Sequence, residues 1–161
     1  MHSLVEELSL LLTQKNMRLA TAESCTGGMI AAAMTDRSGS SAVFERGYVT
    51  YSNEAKIEEL GVKSETIETH GAVSEQTAAE MAKGALKHSH ADIALSVTGI
   101  AGPNGGTEEK PVGLVYIGLA LQNKEPHIVK NNFDGDRTTI RQATVEKALE
   151  LLIDILSTKP A

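Results

Sequence analysis

Thr21-Ala22-Glu23-Ser24-Cys25-Thr26-Gly27-Gly28 joins a strand ending, Met17 to Ala22, to an apolar stretch, Met29-Ile30-Ala31-Ala32-Ala33-Met34, that reads as a helix. A strand-to-helix junction rich in Ser, Thr and Gly turns backbone N–H groups outward at a helix N-terminus. That arrangement favours an anion or a developing oxyanion. Ser24 is therefore the first nucleophile candidate, with Thr26, Gly27 and Gly28 as candidate substrate contacts. The alternative is that Ser24 or Thr26 simply caps the helix.

Working outward, Leu4, Val5, Leu8, Leu11 and Leu12 recur at helical spacing and predict an amphipathic helix over 3–15. Asp36 to Ser41 is a polar turn cluster. Val43 to Tyr51 has strand composition. Ser52-Asn53 offers caps for a helix over about 54–60, ended by Gly61, and 63–70 holds another helical turn. Ser74 caps a helix with Ala78, Met81, Ala82, Ala85 and Leu86 on one face. Asp92 to Thr98 is nearly all apolar, the pattern of a strand buried on both faces. A glycine-rich loop, Gly99 to Pro111, leads to strands at Val112–Leu121 and Pro126–Phe133. Asp136 then caps a long helix striped by Ile140, Thr144, Ala148, Leu151 and Ile155. Helices alternating with buried strands, plus a terminal hairpin, predict an α/β fold: a three-layer α/β/α sandwich with a mixed β-sheet.

The chain of 161 residues is expected to be one domain, 1–161. Cys25 is the single cysteine, so no internal disulfide forms, and a reducing, cytoplasmic setting is expected. The acidic N-terminus does not resemble a leader peptide, and no apolar run is long enough to span a bilayer. A net charge of -6 and 3% aromatics argue against a nucleic-acid surface, though not against one small anionic ligand. No membrane partner is expected, and a homo-oligomer is left open.

Neither a dinucleotide fingerprint nor a phosphate-binding P-loop is present, and no cysteine or histidine set has metal-ligand spacing. No metal is expected. Lys56 is the candidate base: if Asn53 is the cap, Lys56 sits at the third helical position, facing the positive end of the helix dipole. The dipole and any burial both favour the neutral amine, and a Ser/Lys pair generates an alkoxide without histidine. The alternative is a solvated lysine offset by Glu54 and Glu58. His70 is a second candidate base, or a helix-end residue. Tyr51 could orient Lys56 or pass protons, or pack as an edge aromatic. Thr98 ends the buried strand, where ligands sit in open α/β sheets, or makes a local turn bond. Gly102, Gly105 and Gly106 could present amides to an anion, or belong to a surface loop. Arg137 and Arg141, one turn apart at a helix start, form a candidate phosphate site, or pair with Asp134 and Asp136.

Thr-Ala-Glu-Ser-Cys-Thr-Gly-Gly (21–28), Tyr-Ser-Asn-Glu-Ala-Lys (51–56), His-Gly-Ala-Val-Ser (70–74), Gly-Ile-Ala-Gly-Pro-Asn-Gly-Gly (99–106), Glu-Lys-Pro-Val-Gly (109–113) and Gly-Asp-Arg (135–137), in this order, resemble the CinA C-terminal domain family. The likeness runs from about residue 4 to 157 and is closer to the family's stand-alone nicotinamide-nucleotide amidohydrolases. It implies a three-layer α/β/α fold and hydrolysis of nicotinamide mononucleotide to nicotinate mononucleotide and ammonia. By motif it implies Ser24 as nucleophile, Lys56 as base, Tyr51 and Thr98 in support, and Arg137, or else Arg141, toward the nucleotide. No cofactor is implied. Neither is the activity of the pyrophosphatase-like domain found in longer CinA proteins. The rival expectation is a non-catalytic nucleotide-binding or partner-binding module.

Overall fold

A computed structural model describes residues 1–158; the last three positions of the expected domain lie outside them. The elements are α1 (His2–Gln14), β1 (Leu19–Glu23), α2 (Met29–Thr35), a 3-10 turn (Ser40–Ala42), β2 (Phe44–Val49), α3 (Asn53–Leu60), α4 (Ser64–His70), α5 (Glu75–Lys87), β3 (Ile93–Gly99), β4 (Leu114–Leu121), β5 (His127–Asn132) and α6 (Arg137–Ser157). The strands form one sheet of order β2-β1-β3-β4-β5. β2, β1 and β3 are parallel, whereas β4 and β5 add antiparallel. The expected mixed α/β architecture is the one observed.

The two faces of the sheet are packed differently. Leu19 of β1 and Ile93, Leu95 and Val97 of β3 meet Leu8, Leu12, Ile30, Met34 and Leu152 from α1, α2 and α6. On the other face, Ala20, Ala22, Ala94 and Ala120 meet Met81, Ala82 and Ala85 of α5. Small residues there bring backbones close together. A Cβ on Gly84 would stand 1.8 Å from the Leu60 carbonyl oxygen, so α5 passes the end of α3 where only glycine fits.

Three differences from the expected element ends bear on the site. β2 ends at Val49 rather than Tyr51, and the carbonyls of Thr50 and Tyr51 turn toward a side chain instead of continuing the ladder. β4 starts at Leu114 rather than Val112, because Gly113 is left-handed (φ 98°) and its amide closes the glycine loop onto the Ile100 carbonyl. At α2 neither Ser24 nor Thr26 caps the helix. Glu23 does so from the strand: its carboxylate accepts from the amides of Ile30 (2.9 Å) and Ala31 (3.1 Å) and from the Thr26 hydroxyl (2.6 Å).

This topology decides where chemistry can occur. From β1 the chain crosses to β2 on one side, then returns through α3, α4 and α5 to β3 on the other. The order reverses at β1, so the crevice at the C-terminal ends of these three strands is open. Ser24 follows β1, Thr50 and Tyr51 follow β2, and Thr98 lies at the end of β3.

Candidate active site

The crevice holds a cavity of about 270 Å³. Among the expected site residues, Ser24, Tyr51, Lys56, Thr98, Gly102, Gly105 and Arg137 line it. No carboxylate lines it among the described residues.

Lys56 is the most informative side chain. Ser52, not Asn53, is the N-cap of α3, its hydroxyl accepting from the Ala55 amide (3.0 Å). Lys56 is therefore the fourth helical residue, and its own amide is bonded to the Ser52 carbonyl rather than free. Burial does most of the work that the dipole was expected to share. Lys56 and Leu60, four residues apart on one face of this helix, are its buried positions. Lys56 is only 1% exposed, which excludes the solvated reading. Desolvation holds its ammonium below the ordinary lysine value.

Nζ of Lys56 lies 3.0 Å from Ser24 Oγ, 2.9 Å from the Thr50 carbonyl oxygen and 3.3 Å from that of Tyr51. The two carbonyls can only accept. A neutral amine has two hydrogens and one lone pair. With both hydrogens given to the carbonyls, the lone pair is left for the Ser24 hydroxyl. In its neutral form the amine is thus oriented by the backbone after β2 as a hydrogen-bond acceptor toward serine, whereas in its charged form Nζ donates to Ser24 Oγ.

Cys25 also lines the cavity, but burial pushes its thiol up to about 11. A thiol is a poor nucleophile in its protonated form, so the neighbouring cysteine does not compete with Ser24 near neutrality.

The supporting residues hold positions that the sequence left open. The Tyr51 ring does not reach Lys56; its backbone carbonyl does, while its hydroxyl accepts from Arg137 Nη2 (3.2 Å). Thr98 Oγ1 donates to the Ala72 carbonyl (2.7 Å), tying β3 to the segment before α5 and leaving no proton free for an oxyanion. Arg137 also donates to the Gly102 carbonyl (2.8 Å), so it reaches from α6 to both the α3 side and the glycine loop. Arg141 does not line the cavity. Its guanidinium donates to the Cys25 carbonyl (3.0 Å) and the Thr26 carbonyl (3.3 Å) behind the Ser24 turn. Neither arginine forms an ion pair among the described residues, so pairing with Asp134 or Asp136 is not what holds them.

Thr26, Gly27, Gly28 and Gly106 stand outside the lining. The Thr26 hydroxyl is committed to Glu23, and the free end of α2 that suggested an anion site is filled by that same carboxylate. His70 is exposed at the end of α4 and does not line the cavity; its carbonyl accepts from Lys110 Nζ. Sequence reasoning missed Asn53 and Asn104, which also line the cavity. It also missed the capping role of Glu23, although alternation along β1 places residues 19, 21 and 23 on the α2 face.

The family model described as the CinA C-terminal domain matches residues 1–156. The chain belongs to that family. It is 55% identical over 150 residues to a putative competence-damage inducible protein of Halothermothrix orenii, covering 93% of this chain and 36% of the relative. A protein of the same description from Clostridium novyi is 51% identical, with 93% and 36% covered. The chain thus spans about a third of the length of these curated relatives. Among solved structures, it resembles the competence/damage inducible protein CihA of Agrobacterium tumefaciens (TM-score 0.93, 50% identity, covering 98% of this chain and 95% of the other). It also resembles the competence damage-inducible protein A of Klebsiella pneumoniae (TM-score 0.94, 38% identity, 99% and 98% covered). These two solved chains share the whole fold described above. Among the described residues no helix is long and apolar enough to cross a membrane, and no group of His, Cys, Asp and Glu side chains is disposed to hold a metal.

Proposed function

We propose that this CinA-family chain is an amidohydrolase that converts nicotinamide mononucleotide and water to nicotinate mononucleotide and ammonia through a Ser/Lys acyl-enzyme. The observation that carries the reading is the Ser24 Oγ–Lys56 Nζ contact of 3.0 Å, with the amine buried and its other hydrogen-bonding positions facing carbonyls. A module that only binds nucleotides has no use for a desolvated amine against a serine, because burying it costs stability and adds nothing to recognition.

Neutral Lys56 accepts the Ser24 proton as the alkoxide attacks the carboxamide carbon. Backbone amides at the Ser24 turn receive the oxyanion. The proton on Lys56 passes to the departing ammonia, leaving a nicotinoyl ester on Ser24. Water, activated by the same amine, hydrolyses that ester. Arg137 is the phosphate ligand: it lines the cavity, carries no carboxylate partner among the described residues, and can exchange its bond to the Tyr51 hydroxyl for a phosphate oxygen. Tyr51 and the loop residues Gly102 and Gly105 complete the nucleotide side of the cavity. The test is ammonia release by the purified protein from the mononucleotide, with and without a metal chelator. Turnover unaffected by chelator is expected. No release under any condition would return the chain to the binding-module reading.

A further inference from the structure

Tyr51 touches both ends of the cavity. Its backbone carbonyl accepts from Lys56 Nζ (3.3 Å), and its hydroxyl accepts from Arg137 Nη2 (3.2 Å). One tyrosine thus spans the interval between the amine beside Ser24 and the guanidinium on α6. A ligand whose reacting carbon meets Ser24 while its phosphate meets Arg137 has to run along that side chain, which lines the cavity. Tyr51 is also the most exposed of the large apolar side chains among the described residues. A rigid ring tethered by its hydroxyl and otherwise open to solvent offers contact area at little entropic cost.

The charge of the proposed substrate gives this wall its importance. The pyridinium ring is a cation, and a cation withdrawn from water needs a compensating group. No carboxylate lines the cavity among the described residues. Backbone carbonyls around it are already engaged: those of Thr50 and Tyr51 by Lys56, that of Ala72 by Thr98 and that of Gly102 by Arg137. The two basic side chains, Lys56 and Arg137, do not attract a cation. The strongest remaining partner for a flat cation is the face of an aromatic ring. Among the described residues, Tyr51 is the only aromatic in the lining.

We propose that Tyr51 is the platform on which the cationic ring of the substrate lies, and that it selects a charged pyridinium over a neutral ring of the same shape. The inference rests on the nucleotide amidohydrolase reading and deepens it. Arg137 anchors the phosphate, Ser24 and Lys56 act on the carboxamide, and Tyr51 recognises the charge that lies between them.

The experiment measures dissociation constants by calorimetry on three proteins that do not turn the ligand over: Ser24→Ala alone, with Tyr51→Phe, and with Tyr51→Leu. Each is titrated with nicotinamide mononucleotide and with benzamide mononucleotide, in which carbon replaces the charged ring nitrogen. The Ser24→Ala parent is expected to bind the cation about 10-fold more tightly than the neutral isostere, within the range of a partly desolvated cation–π contact. Tyr51→Phe, which loses the bond to Arg137 but keeps a ring, should retain most of that ratio. Tyr51→Leu should bring it close to one. Each ratio compares two ligands on one protein, so a variant that weakens the phosphate contact or loosens the fold alters both alike. A ratio unchanged by Tyr51→Leu, or a parent without preference for the cation, would overturn the inference and leave the hydrolase standing. The expected ratios together with a wild type that releases no ammonia would overturn the hydrolase and leave the platform standing. Failure of both mononucleotides to bind the parent would remove the substrate and the platform together.

Discussion

The two ends of the cavity are built in opposite ways. At the Ser24 end nearly every polar group is committed: Lys56 is 1% exposed and Ser24 is 8% exposed, and the turn that begins at Ser24 is held by Glu23 on one flank and Arg141 on the other. At the Arg137 end the groups are open. Tyr51 is 62% exposed, and the glycine loop is tied down by side chains at few points, Arg137 on Gly102 and Lys110 on His70. The difference teaches where precision is needed. A bond-forming step loses rate steeply with small displacements of the reacting groups. Recognition of a phosphate tolerates adjustment, because a guanidinium offers several donors around one anion.

If that division is right, the largest effects fall on kcat and come from the closed end. Ser24→Ala and Lys56→Arg should each reduce kcat by about 10⁴-fold or more, with the fold intact by circular dichroism, since neither variant retains both nucleophile and base. The arginine cannot deprotonate in the working range. In the wild type, activity should rise with pH through the depressed lysine value and level off above it, because the neutral amine is the active form. A rate independent of pH up to the ordinary lysine range would break the assignment.

The next effect belongs to the open end. Arg137→Ala should raise KM for the mononucleotide about 10- to 100-fold with a smaller change in kcat, matching about 1.5–3 kcal/mol for a charge-assisted hydrogen bond. Nicotinamide riboside, lacking the phosphate, should be used poorly by wild type and no worse by the variant. A variant that discriminated the two substrates as well as wild type would remove the phosphate role.

Cys25→Ala should be milder, within about fivefold of wild-type kcat, because burial keeps the thiol protonated and the substitution leaves its amide in place. Inactivity of this variant together with an active Ser24→Ala would invert the roles of the two neighbours.

The smallest effect is on stability. Lys56 has a lower proton affinity folded than unfolded, so the unfolded chain binds more protons between the depressed value and about 10.5. Wild-type stability should therefore rise with pH across that window, and the cost of burying the ammonium is fully present below it. Lys56→Met should lose this pH-dependent increment and be at least as stable as wild type near neutrality, measured by urea unfolding over a pH series. A methionine variant with the same pH dependence would show that another group carries it.

The sequence made the framework plain because strand and helix periods, caps and glycine stops are local. Ser52 and Ser74 cap their helices, Gly61 stops α3, and Asp136 opens α6. The motifs brought Ser24 and Lys56 forward, but only their common position at the crossover crevice explains why they touch. Arg137 and Arg141 could not be separated beforehand. They are one helical turn apart on the same face, and what divides them is the position of the Ser24 turn against α6, which is tertiary. The α2 amides were misread for a related reason. Composition shows that a helix starts there, whereas the partner of its first N–H groups depends on which way the preceding strand points Glu23.

The carboxylate of Glu23 carries one further consequence. With the start of α2 occupied and Lys56 a neutral amine in the proposed mechanism, Arg137 is left as the cavity's formal positive charge, inside a chain whose net charge is -6. An anionic ligand is repelled by the body at long range and welcomed only on arrival. Such fields act over about a Debye length, roughly 10 Å at 0.1 M salt. Moderate ionic strength should accordingly quicken capture by screening the repulsion before it weakens the contact at Arg137, reversing the salt dependence familiar from proteins that steer their anions from afar.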